Sequence, residues 1–189
     1  GLEVMDAGRD TQQIIDPADA VGVHLKYYPG WMDFWVQDEA RLMVEYGDWT
    51  ACETHFGGRD RNALIEAYRQ NLRFVNTMQP EYIVLHVSDC SMIESMRRVY
   101  HYTDTQVVDA TCDLMNQVTD VLDTEPWLLY ENLWYPGLNL LDPTMVQRLQ
   151  AQTRYQKCGV MLDTGHIMHT NPDLHTPDEA VDYIHRVLD

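Results

Sequence analysis

Five short apolar stretches, each closing on an acidic or imidazole side chain, constrain this chain more than any other feature. They are Gly1-Leu2-Glu3, Val21-Gly22-Val23-His24, Tyr82-Ile83-Val84-Leu85-His86, Trp127-Leu128-Leu129-Tyr130-Glu131 and Gly159-Val160-Met161-Leu162-Asp163. Unbroken apolar runs of this length suit strands buried on both faces, and a residue at the C-terminal tip of a parallel strand points into the crevice where ligands bind. Five such tips predict one shared polar site, and their chemistry predicts a metal centre.

Between the strands the period changes to that of helices. Asp38 to Tyr46 has helical spacing and stops at Gly47. A longer helix is expected from Asp60 to about Met78, with Leu64, Ile65, Tyr68, Leu72 and Val75 on one face and Pro80 beyond its end. Thr103 and Gln106 match the capping-box spacing at the head of a helix carrying Val107, Val108, Thr111, Leu114, Met115 and Val118. Further helices are predicted from Asp142-Pro143 to about Thr153 and from Thr176-Pro177-Asp178-Glu179 onward; the second and third strands are expected to run through Tyr28 and Val87. Strand and helix in turn describe a parallel sheet covered by helices. No G-x-G-x-x-G or Walker-type loop follows a strand, so phosphate-cradling open sheets lose ground to a (β/α)8 barrel of TIM type. No linker or repeat divides the chain, and residues 1–189 read as one domain.

The net charge of −17, from 13 Lys+Arg against 30 Asp+Glu, repels phosphate backbones unless basic residues cluster locally, which disfavours a nucleic-acid partner. Arg97 and Arg98, the adjacent basic pair, read as solvated surface. The same charge weighs against phosphorylated sugars and favours a neutral substrate. No apolar run is long enough to span a bilayer, so no membrane partner is expected. Cys52, Cys90, Cys112 and Cys158 are widely spaced, as befits reduced thiols in a cytoplasmic protein.

The densest chemistry is Leu162-Asp163-Thr164-Gly165-His166, in which a carboxylate and an imidazole flank a tight turn and can face one cavity. The competing reading makes Asp163 a cap and His166 a structural hydrogen-bonding residue. A carboxylate at Glu131, directly after Trp127-Leu128-Leu129-Tyr130, demands a cation or a donor. His86 and His24 fit as ligands or as satisfied core histidines, while Glu3 can simply pair with Lys26 or Arg9. Aromatic residues crowd the segments after two of these tips, Tyr27 to Trp35 and Leu133 to Gly137. There Trp31 and Trp134 can wall a small substrate or merely pack together.

Together, His24, His86, Glu131 in Tyr-Glu-Asn and Asp163-Thr164-Gly165-His166 resemble the xylose isomerase-like TIM-barrel superfamily, which includes sugar phosphate isomerases and epimerases and endonuclease IV. The Glu-Asn and Asp-Thr-Gly-His pieces, about 30 residues apart, are its specific part. The resemblance implies a divalent metal, Zn²⁺ or Mn²⁺, at the C-terminal mouth of the barrel. In the epimerase branch the positions of Glu131 and Asp163 bind the metal, Glu131 also moves a proton, and the position of His166 contacts substrate. In the endonuclease branch His24, His86, Glu131, Asp163 and His166 all take ligand positions. The expectation is a metal-dependent sugar or polyol isomerase or epimerase with Glu131 and His166 catalytic. The alternatives are a zinc phosphodiesterase and a non-catalytic metabolite- or partner-binding barrel. About five of the eight barrel strands are readable, so the barrel is expected to be partial, its remaining ligands lying elsewhere. Its open edges are expected to favour association into a homo-oligomer.

Overall fold

The computed structural model describes residues 1–8 and 14–189, so the expected partner Arg9 lies outside the described residues. Five strands, β1 (Leu2–Met5), β2 (Ala20–His24), β3 (Tyr82–His86), β4 (Trp127–Glu131) and β5 (Cys158–Met161), form a parallel sheet in the order β1-β2-β3-β4-β5. The order follows the chain without reversal. Right-handed crossovers then place every connecting helix on the same side of the sheet.

Burial along the strands agrees. Val23, Ile83, Leu85, Leu128 and Tyr130 are all at most 2% exposed. They pack beneath α4 (Arg61–Met78), α6 (Asp104–Val118) and α7 (Thr144–Gln152) in one apolar core. The opposite face carries His24, His86 and Glu131. By strand register it also carries Met5 and Trp127, which remain 50% and 47% exposed. A parallel sheet normally has both faces covered; here Met5 and Trp127 leave part of one face exposed.

Local sequence sets the helix ends. The Asp60 carboxylate accepts from the Asn62 amide at 2.9 Å to open α4, and Gln79, at φ 49°, closes it just before Pro80. Thr103 and Gln106 form the expected capping box of α6, and Thr176 and Glu179 that of α9 (Pro177–Leu188). The helix α2 (Glu39–Tyr46) is capped by Asp38 as its spacing predicts. The second and third strands end earlier than expected, at His24 and His86, because the chain turns away toward the mouth.

Four short helices are additions to the expected pattern: α1 (Trp31–Val36), α3 (Trp49–Phe56), α5 (Met92–Arg97) and α8 (Thr164–His169). Behind α1 lies a buried ionic network. The Arg41 guanidinium donates through Nε to Asp33 at 2.7 Å and through Nη2 to Glu94 at 2.8 Å, and the Tyr102 hydroxyl donates to Asp33 at 2.8 Å. Among the described residues, no helix is long and apolar enough to cross a membrane, and the four cysteines are free thiols.

Candidate metal centre

Register brings the functional side chains together. His86 of β3 is paired with Glu131 of β4, and His24 on β2 lies at the level of Val84, two residues before His86 on the same face. The Glu131 carboxylate, 8% exposed, is thus reached from two strands at once: its Oε2 lies 3.3 Å from His24 Nε2 and 3.3 Å from His86 Nε2. Its other oxygen, Oε1, lies 3.6 Å from His166 Nδ1, and His166 Nε2 lies 3.7 Å from Asp163 Oδ2.

Asn132, the residue after Glu131, fixes the second half of the site. Its side-chain amide donates to the Asp163 carbonyl at 3.0 Å and its oxygen accepts from the Asp163 amide at 2.8 Å, while its own carbonyl lies 2.7 Å from His166 Nδ1. Asp163 fulfils both readings of its sequence. Its Oδ1 caps α8 by accepting from the His166 amide at 3.0 Å, and Oδ2 stays turned toward the imidazole.

The tautomers follow from these contacts. His24 Nδ1 lies 2.8 Å from the Leu25 carbonyl and His166 Nδ1 faces the Asn132 carbonyl, and a carbonyl only accepts, so each Nδ1 carries hydrogen. In neutral rings the Nε2 lone pairs of His24 and His166 therefore face carboxylate oxygens, an arrangement that needs a positive charge between them. At His24, without metal, a proton meets the need. Burial lowers the His24 pKa, but its contacts with Glu131 and the Leu25 carbonyl outweigh burial and leave it raised. Burial likewise favours a neutral Glu131, yet hydrogen bonds from His24 and His86 hold its carboxyl at about 2.

The donor set therefore fits a divalent cation. Two triads, His24–His86–Glu131 and Glu131–Asp163–His166, each place one donor atom per residue within 4.8 Å of the others, and they share Glu131. Imidazole nitrogen and carboxylate oxygen are both ligands of divalent metals.

The aromatic residues divide. The Trp134 ring stands 5.2 Å from His166 and 4.8 Å from His169, centroid to centroid, and walls the centre. Trp31 is 5% exposed and gives its indole N–H to the Ser88 carbonyl at 2.8 Å, so it braces the loop after β3 from within the core. Among the described residues Glu3 meets the Tyr82 hydroxyl rather than Lys26. Gly137 lets the Trp134 loop press on β3: at φ 130°, with a Cβ barred by the Val87 carbonyl, only glycine fits.

Sequence reasoning assigned no role to Asn132, although Tyr130-Glu131-Asn132 stood out, and none to His169 or Tyr27. The Tyr27 ring meets His86 edge-on at 5.7 Å, and its hydroxyl is buried without a partner among the described residues. No family model matches the chain, and no curated protein matches it.

Proposed function

We propose that this chain belongs to a metal-dependent sugar or polyol isomerase or epimerase built on a xylose isomerase-like (β/α)8 barrel. The barrel reading is supported by a sheet whose order never reverses, since a doubly wound sheet requires a reversal. The observation that carries the function is the Glu131 carboxylate, ringed by His24, His86 and His166 beside the Trp134 wall.

His24, His86, Glu131, Asp163 and His166 would hold the cation. A bound divalent cation polarises adjacent hydroxyl and carbonyl oxygens and raises the acidity of the C–H between them. The residues divide the remaining work. Glu131 Oε1, the oxygen turned away from His24 and His86, takes and returns the carbon-bound proton, and His166 beside it orients the substrate oxygen. Asn132 keeps Asp163 and His166 in register. Trp134 covers the apolar face of the sugar and excludes water.

A zinc phosphodiesterase is the second reading, favoured by the two triads sharing Glu131, an arrangement suited to a metal pair. The net charge of −17 opposes it. The exposed part of the sheet face favours association with a further copy, and a cytoplasmic setting suits the free thiols.

Incubation with substrate candidates in D₂O separates the readings. Exchange of a carbon-bound proton in an aldose, ketose or polyol, lost in Glu131→Gln, is expected. Absence of exchange together with cleavage of a phosphodiester would overturn the first reading in favour of the second.

A further inference from the structure

Beside the candidate metal centre lies a cavity of about 480 Å³ between the segment after α5, the loop after β4 and the end of α8. Trp134 and His169 line it, and the Trp134 ring also stands against His166, so the cavity adjoins the candidate metal ligands. A second cavity of about 540 Å³ adjoins it, and Arg98, His169 and Pro172 line both.

Most polar groups of the first cavity are already paired. Asp104 Oδ1 accepts from the Gly137 amide at 2.9 Å and from Asn139 Nδ2 at 3.0 Å. Ser95 donates to the Met92 carbonyl at 2.8 Å, and Thr170 bonds the Ile167 carbonyl and the Tyr183 hydroxyl. Among the described residues the Tyr100 hydroxyl, the Trp134 indole N–H and Asp104 Oδ2 are uncommitted, and so are the cavity's two basic groups, the Arg98 guanidinium and the His169 imidazole. Neither has a hydrogen bond or ion pair among the described residues, although the chain carries 30 acidic side chains that could have neutralised them. Arg98 is held at the end of α5, where its amide donates to the Glu94 carbonyl at 2.7 Å. A cavity whose basic groups, the exposed Arg98 guanidinium and His169 imidazole, stand unpaired beside Trp134 and Tyr135 suits an oxyanion at the end of a short chain.

We infer that this cavity is a distal subsite for a carboxylate or phosphate terminus of the substrate, gripped by Arg98 and His169 while the other end of the molecule reaches Glu131. The inference rests on the isomerase reading for the identity of that other end, and it reverses the preference for a neutral substrate suggested by net charge. Local arrangement wins over net charge here because at physiological salt, charges more than about 8 Å away are largely screened.

The test uses the full chain stripped of metal, at constant ionic strength, titrated calorimetrically with inorganic phosphate, D-gluconate and sorbitol. Phosphate or gluconate is expected to bind, and Arg98→Gln and His169→Gln are each expected to weaken that binding about tenfold, the worth of one charge-assisted hydrogen bond. Any sorbitol binding should stay the same in both variants. The stronger anion identifies the terminus as phosphate or carboxylate. Zinc retention is measured separately on the same proteins, and Arg98→Gln should leave it intact. Anion binding without zinc retention sinks the metal reading and keeps the subsite. Absence of anion binding, or anion affinity unchanged in both variants, overturns the subsite whatever zinc does.

Discussion

Glu131 Oε2 is equidistant, at 3.3 Å, from the Nε2 atoms of His24 and His86. Those histidines end strands that are neighbours in the sheet, and although 61 positions carrying four α-helices separate them in the chain, parallel register sets both on the face where Glu131 emerges. The carboxylate is the joint between two ligand triads, and several consequences follow from that position.

Glu131→Gln removes the shared ligand of both triads. Metal retention after dialysis, read by elemental analysis, should fall by at least about a hundredfold in affinity, beyond the 10–100-fold typical of losing a mere supporting hydrogen bond. His24 loses the partner that raises it, so its NMR titration should move to lower pH. An unchanged metal content would exclude Glu131 as a ligand.

Metal-free stability should vary with pH in two opposed ways. Glu131, held at about 2 in the fold, contributes stability that is present above its unfolded value of roughly 4.3 and is lost as pH falls toward 2. His24 is raised, so its contribution is full below roughly 6.5 and fades as pH rises through its folded value. The pair therefore stabilises most between roughly pH 4.5 and 6.5. Thermal melts of the metal-free chain should show this window, and His24→Gln should flatten its upper limb. Metal should protect more strongly as pH rises, because it competes with the proton on His24.

Asp89 has the opposite sign. Burial pushes its carboxyl up to about 7, against the Met32 amide that donates to Oδ1 at 3.1 Å. A raised carboxyl lets the folded state hold a proton that the unfolded state releases, so stability declines from about pH 4 to 7. Asp89→Asn keeps an acceptor for Met32 and should stabilise the chain at pH 8 by on the order of 1–3 kcal/mol, with little effect at pH 4. Denaturant midpoints at the two pH values give the answer.

Arg41→Met leaves Asp33 and Glu94, whose side chains are 5% and 8% exposed, without their guanidinium. Removing one partner of a buried ionic network costs about 3–5 kcal/mol. Urea unfolding should register a loss of that order; a loss under about 1 kcal/mol would show that water already screens the network.

Met5 and Trp127 on the exposed part of the sheet face should drive association of the chain in sedimentation experiments. Replacing both with Thr should shift it toward monomer. Concentration-independent sedimentation of the unsubstituted chain as a monomer would refute this.

The local rules were legible in the amino-acid sequence. Capping residues Asp38, Asp60, Thr103 and Thr176 mark their helices because a side chain that satisfies free amides acts within three residues, and the continuous apolar runs mark the five strands for the same short-range reason. The strand tips named His24, His86, Glu131 and Asp163 as candidates. The Ser91–Glu94 capping box of α5 is equally local, whereas α1 lacks a side-chain cap and is held by the burial of Trp31 and Phe34. Tertiary structure alone decided the rest. Strand register, not spacing, turned Glu131 toward His24 and His86, and tertiary packing brought His166 beside it, drew Trp31 into the core and left Trp134 at the site. It also made Asn132 a clamp across β4 and β5 and brought Arg98 and His169 to one cavity, because contacts between residues distant in the chain depend on how the sheet and its helices pack, which no local pattern encodes.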